Sequence, residues 1–278
     1  MQRLDERPLP TTIRAKMNYI VDTGIPPVRY IDWPEMAHKE IAPTYVLHDV
    51  AIRNGRPLRD TFKLDTHGFV FADHHTSMKD FTDETERKRV YDPEVALLIK
   101  KHAGASDVVV FDHTIRVGDE NVQHSTGARP PVKGVHNDYT ETSAPRRLRE
   151  IVGDAEAKRR MQKRWAIIQV WRPIRGTVMI DPLGICDGRT IPQQGFILVQ
   201  RRYKERTGEV YHIAYNPAHA WYYFPRMERL EAMVFKVFDT DTNVPTRFTA
   251  HSAFEDPDTP PNAPPRESIE TRTFAFWD

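Results

Sequence analysis

WAIIQVW (165–171), TVMI (177–180), GFILVQRRY (195–203), VYHIAY (210–215), AWYYF (220–224), EAMVFKVF (231–238), RFTAHSAF (247–254) and ESIETRTFAFW (267–277) follow one another at short intervals. These segments are rich in Ile, Val, Phe, Tyr and Trp and are separated by Gly, Pro, Asn and Asp, which is how antiparallel strands joined by turns read in a sequence. A barrel or sandwich of antiparallel strands is therefore expected over the C-terminal half.

Upstream, YVLHDVAI, GFVFAD and DVVVFDHTIRV predict further strands between Met17 and about Val117. One helix interrupts them: Asp92-Pro93 supplies an N-cap and an N1 proline, Val95, Leu97, Leu98 and Ile99 supply apolar positions, and Gly104 terminates the turn. A second helix is expected from about Ala144 to Lys163, divided at Gly153, its arginines forming a solvated face. Prolines within Asp256–Pro265 forbid regular structure there and predict an extended connection.

Lys plus Arg (40) nearly cancel Asp plus Glu (39), so net charge recruits neither nucleic acid nor an anionic membrane. No segment approaches the roughly 18 apolar residues of a membrane span. The charged N-terminus carries no signal-like apolar run, and the single cysteine, Cys186, permits no intrachain disulfide. A cytoplasmic protein acting on a small molecule is the expectation. Whether it forms a homodimer is open at this level. Cys186 reads as a small buried hydrophobe.

The most informative local string is GVHNDYT (134–140). In extended backbone, residues i and i+2 share a face, so His136 and Asp138 can bind one metal from one strand. A two-histidine, one-carboxylate iron site needs a further imidazole, for which His212, His219 and His251 are downstream candidates. His251 lies in a strand-like segment followed by the proline-rich link and Arg266-Glu267-Ser268. A cation on that next strand could grip the remote carboxylate of a dicarboxylate cosubstrate. His74-His75 sits in a polar stretch and reads as non-ligating. The aromatic cluster around Tyr211, Tyr215 and Trp221–Phe224 reads as core.

VHNDYT (135–140), WAIIQVWRPI (165–174), DPLGICD (181–187), YNPAHAWYYFPRM (215–227), EAMVFKVFDT (231–240) and AHSAF…PPRESIETR (250–272) together resemble the CmcJ/NvfI-like, or AsaB-like, hydroxylase/desaturase family. The resemblance implies a mainly β chain with flanking helices around a double-stranded β-helix (jelly-roll, cupin-like) core. One oxygenase domain is expected, with residues 1–117 packing on a core formed by 118–278. The implied activity is hydroxylation or desaturation of a small natural product with Fe(II), 2-oxoglutarate and O₂. His136, Asp138 and His251 fall on the metal-ligand positions. Arg266 and Ser268 match the Arg-x-Ser cosubstrate clamp, at a longer interval from His251 than in those relatives; Arg272, on the same strand face, is the alternative clamp. Tyr139, Arg172, His219 and Trp221 are candidate substrate contacts, although the family's His-Arg-Trp reads His219-Ala220-Trp221 here. Two other classes keep parts of this pattern: a cupin-like isomerase or dioxygenase that does not use 2-oxoglutarate, and a non-catalytic binding protein.

Overall fold

The computed structural model describes residues 9–278; the charged start of the chain, residues 1–8, lies outside the described residues. Fourteen strands are present among them: β1 (Thr12–Ile20), β2 (Val28–Tyr30), β3 (Tyr45–Asn54), β4 (Phe69–Asp73), β5 (Asp107–Val117), β6 (His136–Asn137), β7 (Trp165–Arg175), β8 (Leu183–Cys186), β9 (Phe196–Arg202), β10 (Thr207–Ile213), β11 (Trp221–Tyr223), β12 (Glu231–Asp239), β13 (His251–Ala253) and β14 (Glu267–Phe276). They form a nine-stranded sheet in the order β1-β3-β11-β8-β13-β6-β10-β9-β2 and a five-stranded sheet in the order β4-β12-β7-β14-β5. All neighbouring pairs are antiparallel except β11 with β3 and β2 with β9. The expected mainly β architecture is what the chain adopts.

The sheets face each other across one core. Phe71, Trp171, Phe235 and Phe274 from the smaller sheet meet Leu183, Ile185 and Tyr222 from the larger. The opposite face of the smaller sheet is also covered, because Val95, Leu98 and Ile99 of the helix Asp92–Ala103 pack on Val70, Ile168, Val234 and Ile269. Burial on both faces explains why β7 reads as an unbroken apolar run rather than an alternating one.

Several local expectations change. TVMI is not a strand; Val178 is buried and donates its N–H to the Met227 carbonyl at 2.9 Å, but the segment joins no ladder. Asp92 is not an N-cap, because helical backbone continues upstream through Arg87–Tyr91 and Glu84–Glu86. Asp83 caps this run instead, accepting from the N–H groups of Thr85 and Glu86, and the Asp92 carboxylate is free to bond His113 Nε2 at 2.8 Å. Gly104 does end the helix, at φ +67°, a conformation in which a Cβ is strained. The second helix is divided at Gly153 into Ser143–Val152 and Asp154–Arg160.

The sheet interior also encloses an ion network. Lys236, 1% exposed, lies 2.6 Å from Asp239 and 2.7 Å from Asp65, and Arg164 closes on the same two carboxylates. Removing one member of a buried ion pair strands its partner's charge. Lys236→Met is therefore expected to lower unfolding stability by about 3 kcal/mol, read as a shifted denaturant midpoint at unchanged slope; a midpoint equal to the parent's would show Arg164 alone neutralises both acids.

Candidate metal centre and adjoining cavities

The register of the larger sheet brings the histidines together. His136 of β6 pairs with His251 of β13 on one side and with His212 of β10 on the other, so three imidazoles share one face. Beyond Asn137 the chain leaves the sheet, and its turn is fixed from two directions. The fully buried Asn137 amide donates to the carbonyls of Tyr139 (2.7 Å) and Val237 (2.9 Å), tying the strand end to β12. Thr140 and Ser143 then exchange backbone-to-hydroxyl bonds, each 2.9 Å, and start the next helix. Asp138 is held between these anchors.

Donor atoms of His136, Asp138 and His251 all lie within 4.8 Å of one another. His136 Nδ1 donates to the Gly134 carbonyl at 2.7 Å, which leaves Nε2 as the acceptor of the neutral ring, 3.4 Å from Asp138 Oδ1. His251 is 3% exposed, yet neither ring nitrogen has a hydrogen-bond partner. An orphaned buried polar atom costs about 1–3 kcal/mol, and a cation between the three side chains would satisfy it. Burial holds the His251 imidazole well below its ordinary range, so it is neutral at pH 7. Burial opposes ionisation of Asp138, but the bonded Arg272 guanidinium outweighs it and keeps the carboxyl well below the usual range. Two imidazoles and a carboxylate are the donor set that suits Fe(II) with open positions. His212 differs from its neighbours: its Nδ1 is taken by the Tyr45 hydroxyl at 3.2 Å.

The other oxygen of Asp138 is held from the facing sheet. Oδ2 accepts from Gln169 Nε2 at 2.7 Å and from Arg272 Nη2 at 2.8 Å and Nε at 3.2 Å. Alternation along β14 points Arg266, Ser268, Glu270 and Arg272 to the same interior face, where a small cavity of about 20 Å³ is bounded by both triad imidazoles, Arg266, Glu270 and Arg116 of β5. A larger cleft of about 720 Å³ reaches Asp138, Tyr139 and Arg272 from the other side.

These features carry into the comparisons with known proteins. A family described as "Oxidoreductase/YMDC permease-like domain" matches residues 17–276. The hydroxylase/desaturase CTB9 of Cercospora beticola is 34% identical over 84% of this chain and 78% of its own length. The Fe(II)/2-oxoglutarate-dependent dioxygenase nvfI of Aspergillus novofumigatus is 34% identical over 82% of this chain and 83% of its own. A solved structure of the iron and alpha-ketoglutarate-dependent endoperoxidase NvfI superimposes with a TM-score of 0.85 at 28% identity, covering 96% of this chain and 98% of that one. The chain belongs to this family of Fe(II)- and 2-oxoglutarate-dependent oxygenases. The two facing sheets are accordingly its jelly-roll, double-stranded β-helix core.

Within this oxygenase the two candidate clamp arginines have different surroundings. Every nitrogen of Arg272 is engaged: besides Asp138, it bonds Asp112 and Thr114, each at 2.8 Å, and Glu270. Arg266, 3% exposed, bonds only the Asp181 carbonyl and lies over the Trp171 ring; its Nε and the Ser268 hydroxyl are buried without partners. Burial brings the Arg266 guanidinium down to about 10, still charged at pH 7.

The four substrate-contact candidates do not come together. Tyr139 lines the larger cleft. Arg172 neither snorkels nor enters that cleft: it is fully buried on the outer face of β7, bonded to His74 Nδ1 (3.0 Å) and to the carbonyls of His74 and Arg229. His219 and Trp221 converge instead on the Tyr19 hydroxyl, at 3.2 and 2.6 Å, within a packing cluster of β1, β3 and β11. Gln169, Arg116 and Glu270 were missed from the sequence. Gln169 stands out only as a polar residue in a mainly apolar strand, and Arg116 and Glu270 are lost among the other polar residues of β5 and β14.

Proposed function

We propose that His136, Asp138 and His251 hold Fe(II), that Arg266 and Ser268 receive the remote carboxylate of 2-oxoglutarate, and that Arg272 and Gln169 fix the carboxylate of Asp138. The single observation behind this reading is the pattern of unpartnered buried donors. His251 and Arg266 border one small cavity and Ser268 lies on the same face of β14 as Arg266; both His251 nitrogens, Arg266 Nε and Ser268 Oγ have no partner among the described residues. A metal and an anion are what those atoms lack.

When bound, iron and the cosubstrate supply an oxidant able to functionalise an unactivated C–H bond with O₂. The protein's part is geometric and electrostatic. His136 is fixed as one tautomer by Gly134, and Asp138 by Arg272 and Gln169, the outer contacts that orient metal ligands. Arg116 borders the small cavity and is held there by the Pro130 carbonyl at 3.0 Å. That cavity has room for about one water, so admitting the cosubstrate requires Arg116 to swing aside. Tyr139 lines the floor of the larger cleft beside Asp138, where a small natural product would be oxidised by hydroxylation or desaturation.

The whole chain acts as one oxygenase unit in this reading, since β1 and β3 share a sheet with β6 and β13. No described helix is long and apolar enough to cross a membrane. A cytoplasmic location is supported by the single, buried cysteine.

Anaerobic titration of the protein with Fe(II) and 2-oxoglutarate tests the reading. A weak visible charge-transfer band is expected in the parent and none in His136→Ala. Stoichiometric metal binding without a band in the parent would move the site to the cupin-like class that does not use 2-oxoglutarate. Absence of metal binding would leave only the non-catalytic one.

A further inference from the structure

The larger cleft is walled by two basic elements. The β9–β10 hairpin contributes Arg201 and Arg206, and the helix Ser143–Val152 contributes Arg146 and Arg147. The acids on these walls are already engaged: Glu150 pairs with Arg147 at 3.0 Å, and Glu209 accepts from the Thr142 hydroxyl and lies 3.8 Å from Arg146. Arg206 stacks on Tyr203 with 4.1 Å to the ring centroid and has no acid partner among the described residues. Arg201 is half-buried in the wall and has neither an acid nor a hydrogen-bond acceptor within the described chain. Its neighbour Arg202, by contrast, is tied to Gln200 and Tyr30.

A half-buried guanidinium without a counter-charge is poorly compensated, because part of its hydration is lost and nothing replaces it. β9 and β10 pair His212 with Ile197 and Gly208 with Arg201, so alternation along β9 puts Arg201 on the same sheet face as His212, which pairs in turn with His136. Arg201 therefore stands on the face that carries the histidines. The cleft that holds both Arg201 and Asp138 is lined by Tyr139, Val210 and Ile115 among mostly charged and polar side chains. An unpaired arginine in a cleft that reaches Asp138 matches a ligand with an anionic end.

Resting on the oxygenase reading above, we infer that the substrate is a carboxylic acid whose carboxylate is received by Arg201, with Arg146 and Arg206 adding positive field. The rest of the molecule then extends toward Asp138, where oxidation occurs. The cleft's 720 Å³ falls within the range of small-molecule sites.

The test uses 1-naphthoate and its neutral methyl ester as probes, titrated calorimetrically into the anaerobic enzyme loaded with Fe(II) and 2-oxoglutarate. The parent is expected to bind the acid at least about tenfold more tightly than the ester, by roughly 1.4 kcal/mol. Arg201→Gln should abolish that preference, Arg201→Lys should keep part of it, and Arg29→Gln, at an exposed arginine paired with Glu40, should keep all of it. Equal affinity for acid and ester in the parent, or a preference that survives Arg201→Gln, would overturn the inference. The charge-transfer band is followed in the same samples. If it persists while the preference is absent, the substrate class is wrong and the iron site stands; if it never forms in the parent, the oxygenase reading itself has failed. Displacement of 2-oxoglutarate by the acid, seen as loss of the band on titration, would place the probe at Arg266 and likewise overturn the assignment to Arg201.

Discussion

Arg266→Ala is expected to weaken 2-oxoglutarate binding by roughly 30-fold to several thousand-fold, the range for truncating one partner of a buried, hydrogen-bonded charge pair at about 2–5 kcal/mol. The two arginines differ in the donors each has left to give. Arg272 has no free donor, whereas Arg266 retains an unpartnered Nε on the cavity that both triad imidazoles border, and the Ser268 hydroxyl two positions on is also buried without a partner. A lysine at 266 should restore little, because a single ammonium cannot reproduce the planar fork that meets a carboxylate in two places. Fe(II) affinity measured without cosubstrate should change little in Arg266→Ala, since Arg266 makes no bond to His136, Asp138 or His251. If instead 2-oxoglutarate binds the variant as tightly as the parent, the clamp is Arg116, the other cation on that cavity.

How much of this could be read from residues alone depends on whether a strand has one buried face or two. In β14 the even spacing of Arg266, Ser268 and Arg272 in extended backbone places them on one face from the sequence alone, although Glu267, Thr271 and Thr273 make the other face polar as well. In β7 both faces are buried, and nothing in WAIIQVWRPI distinguishes them. Gln169 turned out to face Asp138 and Arg172 to face the outer helix layer, the reverse of the emphasis the sequence invited. The third imidazole posed a similar problem. His212 and His251 both pair with His136, and they are separated by the close approach of His251 to His136 and Asp138 and by the Tyr45 hydroxyl on His212, a contact across 167 residues; no local pattern carries either. β1 shows the opposite case: Ile13, Ala15, Met17 and Tyr19 alternate cleanly with exposed positions, a legible strand that charged residues between them obscured. The bond between Asp138 and Arg272 likewise spans 134 residues, so the spacing of HxD offers two candidate ligands but not what orients them.

That bond supports the second large effect. Arg272→Met would leave the carboxylates of Asp138 and Glu270 facing a common apolar space, each having lost a bonded cation. Two consequences are expected and they separate cleanly. Stability should fall by about 3–5 kcal/mol, the usual cost of removing one partner from a buried charge network. Fe(II) affinity should fall about 10- to 100-fold, because Asp138 keeps only Gln169 to hold its ligating orientation. Adding Glu270→Gln to Arg272→Met removes the second stranded charge while leaving Asp138 as it was. The double variant should therefore recover part of the unfolding stability and none of the iron affinity. Thermal unfolding and anaerobic metal titration on the same three proteins read the two effects independently. Recovery of both together would mean that Arg272 serves only to neutralise Glu270, and that Gln169 alone positions the metal-facing oxygen of Asp138.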